Sequence, residues 1–225
     1  MKDVYRAYLV EGASFTEGEE YPIIQSCNQI PEKVIPFSKI NNVKDYNQVV
    51  HFYEPDYKFE CFGNKPRQYL KQLKKFKAVI TPDFSVYRNM PLVVQRHQTY
   101  LNRAFGFWLY KNGIPIIPNV RYGDERTYSF CFDGILPNSV ISIGTHGSIK
   151  KRMDIEYHIK GILETIKKLN PKAILVYGAI VKDMEYILKT NNIKYYNYES
   201  YISTIFKKKS IMTSSLFDIL GEEKI

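Results

Sequence analysis

The sequence predicts an α/β protein: a mainly parallel sheet with covering helices, preceded by a loop-rich N-terminal arm. Three observations carry that expectation. From Val34 onward, short apolar runs ending in Pro, Gly or polar residues alternate with helical patterns. Some runs, such as Ala173-Ile174-Leu175-Val176, are apolar without a break, as strands buried on both faces are. The composition, 44% hydrophobic and 24% charged, is that of a globular chain and excludes disorder, collagen and coiled-coil architectures. At 225 residues a single domain is the natural count. It divides into an arm over 1–33, a core over 34–206 and a basic tail over 207–225.

Taken in order, residues 11–33 mix acids with Gly12, Pro22 and Pro31 and show little periodicity, so they read as an arm or lid over the body. Strands are expected at Val34–Phe37, Gln48–Tyr53, Ala78–Thr81, Ile114–Val120, Val140–Ile143, Ala173–Tyr177 and Ile193–Tyr198. A helix over 66–76 opens on Pro66 at the first helical position. A second, over 92–111, places Val94, His97, Leu101, Ala104, Phe105, Trp108 and Leu109 on one face and stops at Gly113. A third, over 151–169, lines up Ile155, Ile159, Ile162, Leu163, Ile166 and Leu169 and ends at Asn170 and Pro171. The last covers 180–191. Strand and helix alternating at this spacing give right-handed crossovers and a parallel sheet. Seven strands fit an open twisted sheet or barrel-like closure. The open sheet is preferred, because the Phe37–Gln48 and Tyr122–Ser139 connections show no crossover helix.

No apolar run approaches the roughly 20 residues that cross a bilayer, and no signal peptide opens the chain, so a cytoplasmic location without membrane association is expected. Cys27, Cys61 and Cys131 are odd in number and widely spaced, which argues for buried reduced thiols over disulfides or a zinc site. No pattern names a metal or a cofactor. Lys and Arg total 32 against 23 Asp and Glu, a net charge of +9 that favours a polyanionic partner. Lys65, Arg67, Lys71, Lys74 and Lys75 form a basic helical face opposite Leu70, Leu73 and Phe76, suited to a phosphate backbone or simply to solvent. Arg6, Lys150-Lys151-Arg152 and Lys207-Lys208-Lys209 add to it.

In α/β folds ligands bind at the carboxyl ends of the strands. That rule selects Asp83 and Ser85 after the third strand, Asn119 and Arg121 after the fourth, and Gly144-Thr145-His146-Gly147-Ser148 after the fifth. Asp83 suits general acid–base work or metal binding, or a helix or turn cap. Arg121 and Asn119 suit an anion, or an ion pair with Asp124 or Glu125. The glycine turn can cradle a phosphate with its backbone, or serve only as a tight connection. His146, with a titration range spanning neutral pH, is the proton-transfer candidate beside Asp83. His51 and His97 are expected in the core, His158 on the surface, and Cys131 as an inert core thiol.

The series Thr81-Pro82-Asp83-Phe84-Ser85, Met90-Pro91, Arg103, Gly113-Ile114-Pro115-Ile116-Ile117-Pro118, Phe132-Asp133-Gly134-Ile135, Gly144-Thr145-His146-Gly147 and Tyr177-Gly178 resembles the family called domain of unknown function 4417. The likeness runs from Val34 to Gly178. It departs from the family where a Trp often stands, here Arg121 or Tyr122. The resemblance implies a phage or mobile-element setting and gives weight to the Asp83 and Gly144–Gly147 turns, with no reaction attached. The expected function is binding of a nucleic acid or nucleotide-like anion at the basic faces and the strand carboxyl edge. The alternatives are a hydrolase or transferase of a phosphorylated substrate using Asp83 and His146, and a phage inhibitor of a host protein.

Overall fold

A computed structural model describes residues 3–147, 149, 151–201 and 203–204. All seven expected strands are present, several of them shorter than the apolar runs: β1 Val34–Pro36, β2 Val49–His51, β3 Ala78–Ile80, β4 Ile116–Ile117, β5 Val140–Gly144, β6 Ala173–Tyr177 and β7 Lys194–Tyr198. The helices are α1 Glu60–Asn64, α2 Leu70–Leu73, α3 Leu92–Lys111, α4 Arg152–Leu169 and α5 Lys182–Thr190. Every strand pair is parallel, and the order follows the chain, β1-β2-β3-β4 and then β5-β6-β7. A parallel bridge between Asn119 and Ser142 joins the two groups just beyond β4.

Parallel strands laid down in chain order put all their connections on one face when the crossovers share one hand, as such connections do in general. Period-two alternation divides the side chains accordingly. Val50, Phe52, Val79, Ile116, Ile141, Ile143, Ile174 and Val176 point to the helical layer and share its core with Phe62, Phe105 and Trp108. Val49, Tyr53, Ala78, Ile80, Ile117, Val140, Ala173, Leu175 and Tyr177 form a second core on the opposite face. Among the described residues no layer of helices covers that second face, and the sheet curls over it. His51 lies 4.1 Å from Tyr177 between ring centroids, and Tyr53 stacks on Tyr177 at 5.1 Å, although β2 and β6 are not neighbours. Among the described residues β1 and β7 do not pair, so the curl stops short of a closed barrel. Tyr198 Oη of β7 donates to Pro31 O, just before β1, at 2.6 Å.

The connections expected to lack a crossover helix hold only short 3-10 turns, Phe37–Asn42 and Glu125–Thr127. The expected helix over 66–76 is not continuous. Pro66 opens a 3-10 turn, Pro66–Tyr69, and a single α turn, α2, follows. Leu73 and Phe76 are buried and every lysine between them is exposed, so the predicted two-sided character survives the break. In α3 the buried stripe is rotated from the expected one. Gln95, Thr99, Asn102 and Arg103 are buried with Ala104, Phe105, Trp108 and Leu109, while His97 is exposed, contrary to expectation. In α4, His158 is buried rather than exposed and Leu163 faces solvent, because Gly161 lets Tyr122 pack flat against the helix at that level. Of the thiols, Cys131 is buried, Cys27 is partly buried and Cys61 is exposed, so burial is not general.

Within the expected arm, residues 26–28 run across the amino ends of β4 and β5. Cys27 N–H donates to Ile116 O at 2.8 Å, Ser26 Oγ donates to Val140 O at 2.7 Å, and Val140 N–H donates to Asn28 Oδ1 at 2.9 Å. Tyr21 and Ile24 are buried against other parts of the fold: Tyr21 Oη donates to Arg96 O of α3 at 3.4 Å, and Ile24 N–H donates to Gly134 O at 2.8 Å. The basic tail expected over 207–225, with Lys207, Lys208 and Lys209, lies outside the described residues, as do Ser148 and Lys150.

Candidate functional site

The polar residues that end β2 to β5 fold inward and bond to one another. Tyr53 Oη donates to Asn119 Oδ1 at 2.9 Å and lies 2.7 Å from Ser142 Oγ. Asn119 Nδ2 donates to Asp83 Oδ1 at 2.7 Å, and Asp83 Oδ2 lies 3.6 Å from Arg121 Nη1. Thr81 Oγ1 accepts from Asn119 N–H at 2.8 Å and donates to Asn102 Oδ1 at 3.2 Å. Arg103 carries the network on, donating to Asn102 and to the carbonyls of Cys131 and Asp133. Burial raises the carboxyl of Asp83, opposed by the charge of Arg121 and the hydrogen bond from Asn119. Burial likewise lowers Arg103 to about 10 and drives the Tyr53 phenol well up. In a low-dielectric interior such groups persist only when bonded, which is what the network achieves.

Asp83 is thus held by Asn119 and Arg121 and caps no helix, since α3 begins after Pro91. Arg121 pairs with Asp83, whereas the Asp124 suggested as its partner is bound by Arg126. Ser85 donates its hydroxyl to Asp56 Oδ1 at 2.8 Å, which turns it toward a carboxylate. Thr145 Oγ1 donates to Ala179 O at 2.7 Å. Gly144 lies against the Tyr53 ring, where a Cβ would sit 2.5 Å from Tyr53 Cδ1. His146 is exposed and meets the Tyr177 ring edge-on, at 6.4 Å between centroids. Asp83 and His146 are therefore linked through Tyr177, Tyr53 and Asn119, and no direct contact joins them.

A cleft of about 380 Å³ opens at the carboxyl edge between the β3–α3 loop, the segment after β4 and the start of α4. Arg88, Arg121, Tyr122, Gly147, Asp154, Tyr157 and His158 line it. Gly147, at φ +79°, supplies the left-handed turn that brings the chain to the rim. Arg88 Nη2 donates to Asp154 Oδ1 at 2.6 Å, and its guanidinium lies 4.2 Å from the centre of the Tyr157 ring. Asp154 also accepts from Lys151 N–H at 3.1 Å, a carboxylate placed where the helix dipole favours one. Of the anion-binding candidates, Arg121 and Gly147 line this cleft; Asn119 is buried behind it.

Lys65, Arg67, Lys71, Lys74 and Lys75 are all exposed. Arg67 lies 4.7 Å over the Tyr8 ring and Lys75 5.2 Å over Tyr46. Their segment descends from the end of β2 to Lys77, whose N–H bonds Gln48 O at the amino edge, so this face leads away from the cleft. Among the described residues no group of three or more His, Cys, Asp or Glu gathers to hold a metal.

Reading the sequence missed Arg88, Tyr122, Asp154, Tyr157 and His158. A signal was present in the i, i+3, i+4 spacing of Asp154, Tyr157 and His158, which sets them on one helix face just after the glycine turn.

Comparison with known proteins matches residues 14–198 to the family model "Domain of unknown function (DUF4417)". The "Gene 1 protein" of Mycobacterium phage L5 is 34% identical over 131 residues, 58% of this chain and 57% of that protein. The "Gene 1 protein" of Mycobacterium phage D29 is 30% identical over 165 residues, 72% of this chain and 61% of that protein. The matched stretch is therefore less than two thirds of either relative's own length. No solved structure matches the chain. No helix among the described residues is long and apolar enough to cross a membrane.

Proposed function

Because this chain belongs to the domain of unknown function 4417 family, among phage-type proteins to which no reaction is attached, we propose its function from geometry: it binds a nucleotide or a nucleic-acid segment in the carboxyl-edge cleft. The observation that carries the reading is the cleft's wall, where two guanidinium groups, Arg88 and Arg121, stand with the Tyr157 ring beside the Gly147 turn. A guanidinium fork suits a phosphate, and an aromatic face with a stacked arginine suits a base. Both arginines are already paired with carboxylates, Arg88 with Asp154 and Arg121 with Asp83. A phosphate has to compete with them, which makes the site selective for ligands that also stack. The exposed basic face from Lys65 to Lys75 and the net charge of +9 support electrostatic attraction of the same class of partner. The reading puts the protein in the cytoplasm, where such ligands are.

The test is equilibrium binding of mononucleotides and of short single-stranded RNA and DNA at two ionic strengths. Binding that weakens with salt is expected. Arg88→Ala, which removes one guanidinium and its stacking on Tyr157, should reduce affinity about tenfold. No binding to any of these ligands at low salt refutes the reading.

A second reading, a hydrolase or transferase acting on a phosphorylated substrate, is favoured by the raised Asp83 carboxyl beside Arg121. It requires His146 to reach Asp83 through the substrate. Turnover of a phosphate ester abolished by both Asp83→Asn and His146→Ala would support it, and turnover unchanged in either variant would exclude it.

A further inference from the structure

The wall of the cleft already holds an anion of its own. The Asp154 carboxylate accepts from Arg88 Nη2 through Oδ1 at 2.6 Å and from Lys151 N–H through Oδ2 at 3.1 Å, at the first turn of the 18-residue helix α4. A guanidinium fork, a backbone amide and a helix N-terminus are the groups that hold a bound phosphate. Arg88 keeps the Asp154 carboxyl below the usual carboxylate range, so the group is an anion at pH 7. Both side chains line the cleft and both meet solvent, 34% of Arg88 and 24% of Asp154, so a ligand seated there reaches them. The pair of Arg121 with Asp83 is built differently: Asp83 is buried, and Asn119 Nδ2 holds its Oδ1 at 2.7 Å. Solvent-exposed ion pairs are weak and exchange readily, whereas a buried carboxylate stripped of its cation is costly. Arg88 is therefore the arginine that can change partner. Its backbone stays fixed, because Arg126, itself clasped by Asp124, donates Nη2 to Arg88 O.

We propose that the Asp154 carboxylate occupies, on Arg88, the place that the ligand's phosphate takes, so that binding exchanges one anion for the other and Asp154 sets how tightly the cleft holds phosphorylated ligands. The inference rests on the nucleotide reading above and deepens it. In the exchange the Arg88 guanidinium turns from Asp154 to the phosphate beside the Tyr157 ring, whose centre lies 4.2 Å away. Asp154 keeps the Lys151 N–H and the favourable end of the helix dipole, so the displaced carboxylate retains a partner. Asp154 is thus a built-in competitor, and removing its charge should tighten binding instead of weakening it. A residue that only shaped the wall would have the opposite effect.

The experiment compares the wild-type protein with Asp154→Asn and Glu156→Gln, each titrated at low ionic strength with pyrophosphate and with the four ribonucleoside monophosphates. Asparagine keeps an oxygen to cap α4 and removes the charge. Glu156 is the control: it lies on the same helix, pairs with Arg152 and does not line the cleft, so Glu156→Gln removes an equal charge without touching Arg88. Asp154→Asn should bind pyrophosphate and the nucleotides about fivefold more tightly than the wild-type protein, the scale of one partly exposed ion pair. Glu156→Gln should change neither affinity by more than about 1.5-fold, the scale of a screened surface charge. If Asp154→Asn fails to fold, the 13C resonance of the Asp154 carboxyl in the wild-type protein decides: it should move on saturation with pyrophosphate. Where the wild-type protein binds these ligands, unchanged or weaker binding by Asp154→Asn, an equal gain in Glu156→Gln, or a still carboxyl resonance overturns the exchange and leaves the nucleotide reading standing. Failure of nucleotides and pyrophosphate alike to bind both the wild-type protein and Asp154→Asn refutes that reading, and the exchange with it.

Discussion

Asn119 is the side chain on which the buried polar network turns, since its amide joins the Tyr53 phenol to the Asp83 carboxyl. Asn119→Ala leaves both without that partner and should cost about 3 kcal/mol of unfolding free energy, read by urea denaturation. The histidines set the pH dependence. Burial lowers His51 to about 3 and His158 to about 4, from 6.5 for an ordinary imidazole. Between those folded values and 6.5 the unfolded chain binds more protons than the native one. Stability is therefore fully present above about pH 6.5 and falls as pH drops toward 4. Asp83, raised by burial, works in the opposite sense above the ordinary carboxylate range, so the histidine's share is read from the difference between the wild-type protein and His158→Gln. Unfolding followed at about pH 7 and pH 5 should show the loss, and His158→Gln should make it smaller. Asp83, Asn119 and Arg121 were legible in the sequence because each stands where an apolar strand turns polar. Tyr53 was not, and Arg103 stood out only through the family resemblance, since an aromatic in a strand and an arginine in a helix look like core and surface until tertiary packing sets them facing a buried carbonyl or amide.

At the scale of elements, Gly161 shows how tertiary packing reverses a local preference. Replacing a helical glycine with alanine ordinarily stabilises by about 1 kcal/mol. A methyl at Gly161 would overlap the Tyr122 ring, so Gly161→Ala should lower stability by about 1–3 kcal/mol and displace Tyr122 from His158. Thermal unfolding gives the sign directly, and a stabilised variant would contradict the packing described here. The same close approach explains why α4 was read with its stripe misplaced. Periodicity located the helix and its end at Asn170, whose left-handed conformation at φ 40° matches the expected stop. The buried centre moved to His158, Gly161, Ile162 and Thr165 because a neighbouring ring, which hydropathy cannot register, needed space there. Pro66 marked a true helical start, but the segment behind it tightens to a 3-10 turn before α2, so a continuous basic ridge from Lys65 to Lys75 does not form.

At the scale of the molecule, strand order decides where chemistry gathers. Seven parallel strands in chain order bring the ends of β3, β4 and β5 side by side, which is how Asp83, Arg121 and Gly147 come to one edge. The class and the carboxyl-edge rule were readable from alternating apolar and helical runs. The curl over Tyr53 and Tyr177 was not, because it depends on contacts between strands that are distant in the chain. On the proposed function, the cleft walled by Arg88, Arg121 and Tyr157 holds the ligand. Backbone amide shifts of isotopically labelled protein, recorded during titration with a mononucleotide at low salt, test it most directly. The changes should concentrate at residues 86–89, 120–123 and 154–158; changes confined to 65–77, or none at all, would contradict ligand binding in this cleft.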